Sequence, residues 1–401
     1  MKKFFVLMLI LFCFPFGVKA LEIQSKNAIL YNLNEDTILF SKEAEEKIPI
    51  ASLTKIMTAI VALENITNLD EVVTVPSKAL EGLALKNAMV VGFRAGERIT
   101  YRDLLYGMLL PSGADATNIV AYCLVGSEEE FVNLMNEKAR ELGLLNTHFS
   151  DTSGLDDYNN YSTVFDIATL LKYALQNTTF KQVFTSHEYI TSNGLKLEST
   201  LKYYTVKYHL QNSYILGSKT GFTTIAGYCL ASYASYDDVE YLLVTAGAPT
   251  ENGYPYHFQD AFTIYDYYTQ NYGYLTLYNK GDVLYTLKTQ YASEDSYEVF
   301  ADESLIKYLP KNTNMEDLQI QYTGVEMLSP FTPKGKIGMI SVFLNDTLLK
   351  SIEVVYQGNL TFSFSKIFLE YPSLFLGFFL LIFIFFLLFK RNKLHHKKKK
   401  V

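Results

Sequence analysis

Tryptophan is absent from this 401-residue chain, cysteine occurs three times and proline ten times. Three cysteines exclude a disulfide-dense small scaffold, and no spacing among them resembles a zinc site. Arginine is scarce, five against 30 lysines, and none lies between Arg140 and Arg391. Acidic residues are missing from both ends. Lys2, Lys3 and Lys19 stand alone at the start, and Lys390, Arg391, Lys393 and Lys397 to Lys400 stand alone at the end. Residues 21–389 therefore hold 25 basic against 42 acidic side chains, a net of −17. A body that acidic excludes general nucleic-acid binding, which needs a basic surface. Apolar residues, by contrast, make up 49% of the chain. That fraction over this length excludes a disordered or collagen-like protein, and it suits two domains or one large domain with appendages.

The two ends read as targeting segments. Residues 1–20 have a basic start, an apolar run from Phe4 to Phe14 and the exit Val18-Lys19-Ala20, the layout of a cleaved secretory signal. Cys13 leaves with it. Leu374 to Phe389 is 16 residues without a polar side chain, and extension back to Tyr371 gives 19. Residues 371–389 are thus expected to form one transmembrane helix. The basic tail 390–401 follows at once and is expected to stay in the cytoplasm, which turns residues 21–370 outward.

Between the ends, two characters alternate. Residues 21–272 mix patterns. A hairpin is expected around Asn34-Glu35-Asp36, and helices over 50–63, 101–110, 115–124, 128–142 and 166–176. Strands are expected over 228–234 and 240–246, then a helix over 256–268. Strand material at both ends with helices between implies one sheet built from distant segments, with a helical lobe inserted. Residues 276–365 are short alternating runs separated by Gly, Asn and Asp turns, an all-β pattern.

Three short motifs carry chemistry. In Ser52-Leu53-Thr54-Lys55 the serine and lysine lie three residues apart, so a helix brings hydroxyl and amine to one face. A serine needs a base to become a nucleophile, and a buried lysine can be that base once its pKa falls. The helix start also favours developing negative charge. Ser112-Gly113-Ala114 sits on a turn between two helices. Lys219-Thr220-Gly221 enters a strand, with an ammonium and a hydroxyl suited to a carboxylate. Each motif alone is weak; the set, in this order on an exported chain, is specific.

With these residues in hand, the sequence resembles the D-alanyl-D-alanine carboxypeptidases, the low-molecular-mass penicillin-binding proteins. The likeness extends to the segment 50–59, to Gly96-Glu97-Arg98-Ile99-Thr100, to Thr147-His148-Phe149, to Ser153-Gly154-Leu155 and to residues 219–230. It implies an α+β, β-lactamase/transpeptidase-like catalytic domain: an antiparallel sheet with helices on both faces and an inserted helical lobe. A small all-β domain would follow. It also implies roles. Ser52 would attack the bond between two D-alanines of a peptidoglycan stem peptide, with Lys55 as base and Ser112 as proton relay. Lys219, Thr220, Gly221, Phe222 and Thr223 would bind substrate, and Lys219 would help keep Lys55 neutral. The Ser52 and Phe222 N–H groups would form the oxyanion hole. β-Lactams would be covalent inhibitors, and no cofactor or metal is required.

Two departures stand out. The second motif of the family usually ends in Asn, where this chain has Ala114; Asn118, one helical turn on, is the nearest amide. No arginine lies between the third motif and Arg391, which leaves Lys219, Thr220 and Thr223 for the carboxylate; His257 is a lesser candidate helper and, like His148, is expected to be structural. The alternatives are a β-lactamase, for which no Glu-x-x-Leu-Asn segment is present, and a catalytically weak scaffold that binds wall peptide. Cys123 and Cys229 are expected to be free, buried thiols rather than paired.

Overall fold

The computed structural model describes residues 21–84, 88–211 and 214–398, with the side chains of Leu374 and of 391–398 left aside. The expected signal segment 1–20 lies outside the described residues.

The chain opens with the expected hairpin, strands β1 (Asn27–Asn32) and β2 (Thr37–Lys42), turning through Asp36 at positive φ. A helical lobe follows: α1 (Thr54–Asn65), strands β3 (Val72–Thr74) and β4 (Arg98–Thr100), then α2 (Tyr101–Leu109), α3 (Ala114–Val125) and α4 (Glu128–Glu141). Helix α5 (Val164–Ala174), α6 (Thr178–Phe184), the small hairpin β5 (Glu188–Ile190) and β6 (Lys196–Glu198), and α7 (Thr200–Tyr208) complete it. The sequence pattern missed α6, α7 and that hairpin.

Local chemistry sets the boundaries. Thr100 and Asp103 form a reciprocal capping box at the start of α2. Ser127 caps α4, whose first turn carries Glu128, Glu129 and Glu130 and whose last carries Lys138 and Arg140, each sign at its favourable end of the dipole.

Strands β7 (Ile215–Thr223), β8 (Gly227–Tyr236) and β9 (Val239–Ala248) then close an antiparallel five-stranded sheet in the order β2-β1-β9-β8-β7. The pairing of Ile29 with Val244 joins segments 215 residues apart, so the lobe is an insertion between two parts of one sheet. Alternate residues divide between the two faces. Ile29, Ala231, Leu242 and Val244 join the core shared with α1 and α5. Ser232, between Ala231 and Tyr233, instead bonds Tyr265 of helix α8 (Tyr256–Asn271). Helices thus cover both faces, as the resemblance implied. Strand β7 is an outer strand, with one edge left unpaired within the sheet.

Contacts divide the chain between Gln270 and Asn271. The second unit holds eight strands, β10 (Tyr272–Tyr278), β11 (Val283–Thr289), β12 (Ser296–Phe300), β13 (Leu305–Pro310), β14 (Leu318–Gly324), β15 (Met327–Leu328), β16 (Gly335–Leu344) and β17 (Thr347–Tyr356). They form three small sheets around Leu287, Leu328, Ile340, Val342 and Tyr356. Helices α9 (Phe364–Glu370) and α10 (Pro372–Lys398) follow. Among the described residues no single helix is long and apolar enough to cross a membrane. Phe364–Glu370 and Phe375–Lys390 meet that test together, bent by 95°.

Candidate active site

The nucleophile motif folds as a single 3₁₀ turn, Ala51–Leu53, that runs directly into α1. Ala51 has φ 47°, a conformation costly for a residue with a Cβ. The turn is held from below: Thr54 Oγ1 donates to the Ala51 carbonyl (2.9 Å), and Asn160 Nδ2 donates to Thr54 Oγ1 (3.2 Å). On the resulting helix face Lys55 Nζ lies 2.9 Å from Ser52 Oγ. The same amine donates to the Ser153 carbonyl at 2.6 Å.

Lys55 is only 2% exposed. Burial pushes its ammonium down to about 8, and the carboxylates of Asp151 and Asp115 pull in the other direction. About a tenth is therefore neutral amine at pH 7, far more than for an ordinary lysine, and the neutral form is what a general base requires. Burial, rather than the Lys219 charge expected from the resemblance, produces this shift. The coupling falls instead on Lys219, which burial and the neighbouring Lys55 drive well below the usual lysine range.

The second motif supplies a matching couple. Lys219, 0% exposed on β7, donates to Ser112 Oγ (2.8 Å) and to the Thr220 carbonyl (2.7 Å). Ser112 also sits at positive φ, 69°, on the turn between α2 and α3. Ala114 is buried, and its N–H donates to the Met89 carbonyl (2.7 Å). A Cβ on Gly113 would stand 2.5 Å from Val91 Cγ2. The segment around 89–93 is thus pressed onto this motif. Asp115 fastens it, accepting N–H bonds from Val91 (2.8 Å), Gly92 (2.8 Å) and Phe93 (3.2 Å).

Strand β7 lies against the nucleophile turn. A Cβ on Gly221 would be 3.1 Å from the Ile50 carbonyl and 3.2 Å from the Ser52 nitrogen. Glycine here serves the approach of strand to turn, not only the approach of a substrate. Further along, Phe222 is exposed with its ring 4.9 Å from that of Tyr228, and Thr223 Oγ1 accepts the Ala226 N–H (3.0 Å). A small crevice lined by Pro49, Ala51, Leu155, Tyr158, Thr223 and Ile225 opens beside this wall.

The two residues weighed as helpers stay out of that role. His257 cannot assist with a carboxylate: it is 0% exposed, stacked on Tyr228 (4.7 Å) and edge-on to Tyr204 (5.2 Å). Burial pushes its imidazole down to about 3, so it carries no charge at neutral pH. Asn118 does not stand in for an amide at position 114; its Oδ1 accepts the Thr152 hydroxyl (2.7 Å). Cys123 and Cys229 are both free, as expected, but only Cys229 is buried; Cys123 is partly exposed. Sequence reasoning missed Ser153, Asp151 and Asp115 as members of the site. Asp151 with Ser153 and Gly154 signals a turn by its residue types, but nothing in the spacing aims its carbonyl at Lys55.

Residues 15–250 match the family described as D-alanyl-D-alanine carboxypeptidase. The chain belongs to this family. Residues 272–361 match the C-terminal domain of penicillin-binding protein 5. The D-alanyl-D-alanine carboxypeptidase DacF of Bacillus subtilis is 28% identical over 322 residues, spanning 78% of this chain and 79% of that protein. DacC of Escherichia coli is 27% identical over 344 residues, spanning 84% and 83%. Among solved structures, penicillin-binding protein 5 from Haemophilus influenzae shares the fold with a TM-score of 0.63 at 21% identity, covering 86% of this chain and 99% of that one. The Streptomyces K15 DD-transpeptidase gives 0.55 at 29% identity, covering 61% and 97%. Membership makes this carboxypeptidase a serine hydrolase of the penicillin-binding class, ahead of the β-lactamase and scaffold alternatives.

Proposed function

We propose that the chain trims the terminal D-alanine from peptidoglycan stem peptides through an acyl-enzyme on Ser52. The observation that carries this reading is a buried amine, lowered to about 8, lying 2.9 Å from a serine hydroxyl at the mouth of a helix. Lys55 takes the Ser52 proton as Oγ attacks the scissile carbonyl. The N–H groups of Ser52 and Phe222 receive the developing oxyanion, an arrangement worth about 3 kcal/mol per donor in comparable enzymes. Ser112, hydrogen-bonded to Lys219, passes a proton to the leaving amine and regains one from the Lys55 ammonium, which returns Lys55 to the free amine. The arriving carboxylate meets Thr220, Thr223 and Lys219, and its negative charge favours the ammonium form of that lysine. Water then releases the shortened peptide and restores Ser52. A β-lactam enters the same first step and stays on the serine.

The same reading divides the chain at 21–272 and 276–365, with residues 1–20 as an export signal. The apolar helix 371–389 holds the enzyme in the membrane as a single pass, with residues 390–401 in the cytoplasm and the catalytic domain outside. The apolar run and the basic cluster beside it support that orientation.

Ser52→Ala tests the proposal. It is expected to remove covalent labelling by a fluorescent penicillin and to lower D-alanine release from a synthetic pentapeptide by about 10⁴-fold or more. Labelling that survives this substitution would sink the assignment of the nucleophile.

A further inference from the structure

The amine that acts as base has two requirements. Its lone pair must face the serine hydroxyl, and its N–H groups must be directed elsewhere. A neutral amine that donates to a fixed carbonyl has its lone pair turned by that bond. In this site the fixed carbonyl belongs to Ser153, 2.6 Å from Lys55 Nζ and 3.4 Å from Ser52 Oγ. The geometry of the first step therefore depends on what holds Ser153.

Its neighbour Thr152 is tied to the helical lobe. The Thr152 carbonyl accepts from Thr58 Oγ1 (2.6 Å), its hydroxyl reaches Asn118 (2.7 Å), and its N–H donates to Glu128 (3.1 Å). Past Thr152 the holding group is one carboxylate. Asp151 Oδ1 accepts the N–H of Ser153 (2.6 Å), the N–H of Gly154 (2.6 Å) and the Ser153 hydroxyl (3.0 Å). The turn so formed is pressed onto the nucleophile: Gly154 has φ 81°, and a Cβ there would lie 1.9 Å from the Ala51 carbonyl.

We propose that Asp151 is a positioning residue for acylation, gripping the Ser153–Gly154 turn so that the Ser153 carbonyl orients Lys55 toward Ser52. This rests on the reading of Ser52 and Lys55 given above. The charged groups that face Lys55 are Asp151 from this turn, Asp115 from α3 and Lys219 from β7. Asp115 is committed to the N–H groups of the 91–93 segment and of Ala116, so it does not hold the Ser153 turn. Asp151 alone both shapes the turn and adds negative charge near the amine. The two contributions separate by substitution. Asparagine keeps an acceptor for the turn and removes the charge; alanine removes both.

The test is the rate of acylation by a fluorescent penicillin, followed in the full chain between about pH 6.5 and about pH 9. Asp151→Ala is expected to slow acylation by roughly tenfold to a hundredfold at every pH, the scale of a misplaced reacting group. Asp151→Asn is expected to stay within about threefold of the parent at high pH, while its acidic limb moves to lower pH because an anion has left the neighbourhood of Lys55. An Asp151→Ala rate within about twofold of the parent would overturn the proposal. So would an Asp151→Asn variant slowed as much as Asp151→Ala at high pH, since the amide oxygen keeps the acceptor for the turn. Where Asp151→Ala does not fold, Asp151→Ser, which removes the charge and draws the acceptor back from the turn, takes its place, with the same loss expected and a rate within about twofold of the parent overturning the proposal. Peptide mapping of the labelled residue keeps the two readings apart. Label on a residue other than Ser52 in the parent breaks the catalytic reading, whereas label on Ser52 with unaltered rates breaks only the role of Asp151.

Discussion

The site contains two serine–lysine couples, and they are built differently. Ser52 and Lys55 are three residues apart on one helix, 2.9 Å from each other. Ser112 and Lys219 are 107 residues apart, joined at 2.8 Å where a turn between helices meets the outer strand of the sheet. Both lysines are buried, and each couple includes one residue at positive φ, Ala51 beside Ser52 and Ser112 itself. The electrostatic surroundings differ. Lys55 is faced by the carboxylates of Asp151 and Asp115, which offset part of the cost of burying its charge. Lys219 has no such offset; the charge next to it is that of Lys55, which makes matters worse. One amine is balanced near neutrality and suits proton transfer. The other is left short of an anion and suits a carboxylate that arrives with the substrate.

Replacing each lysine by methionine breaks the comparison most severely. Lys55→Met removes the base, so acylation is expected to fall by about 10³-fold for any acylating ligand. Lys219→Met removes the partner of a carboxylate. It is expected to cost about a hundredfold with a penicillin bearing its free carboxylate and much less with the corresponding methyl ester. Acylation kinetics with the acid and the ester, on both variants, check this. Equal losses for acid and ester in Lys219→Met would mean that the two couples share one role.

The backing of the first couple has its own sharp test. Gly154→Ala places a methyl group into the Ala51 carbonyl at a positive φ, and is expected to cost about 3 kcal/mol or more in urea unfolding. Gly126 closes α3 at φ 87° with open space around it, so Gly126→Ala carries the backbone strain alone, about 1 kcal/mol. Penicillin labelling should drop with the first substitution and hold with the second. Similar melts for the two would show that the turn and the nucleophile segment are free to separate.

The couples also show what could be read beforehand. The spacing of Ser52 and Lys55 was legible because a helix has a fixed period, so three residues of sequence set a distance in space. The sheet of distant segments was legible from strand patterns at 27–40 and 228–246, since pairing them in one sheet beneath the helices buries both. Ser112 and Lys219 were brought together by resemblance alone; no local rule relates two residues across 107 positions. Ser153 escaped because its acting group is a backbone carbonyl, which every residue possesses and no composition reveals, and Asp151 escaped because its carboxylate reaches Lys55 only through that turn. His257 shows the same limit. Its charge depends on burial by Tyr228, Tyr204 and Phe258, and burial is a property of packing rather than of residue type. Helix α7 escaped for want of a strong apolar stripe, burying only Leu201, and α6 because seven residues are too few to show a period, although it buries Phe180, Val183 and Phe184.

The smallest effect separates the two lysines by titration. Lys55 can accept a proton only as the free amine. With its ammonium lowered to about 8, the acylation rate should rise with pH to a plateau above that value. Below it the rate should fall about tenfold per pH unit, because each unit removes that fraction of neutral amine. Lys219 is expected to enter differently, through affinity for a carboxylate, which strengthens as its ammonium forms at lower pH. A carboxylate-free ester silences that second dependence. Its acylation profile should therefore keep a single midpoint near 8, whereas the free acid should show a flatter decline on the acidic side as tighter binding offsets the loss of base. Second-order acylation rates for both ligands across the range provide the check. A midpoint that moves well below 8 with the ester would assign the titrating base to Lys219 and reverse the roles of the two couples.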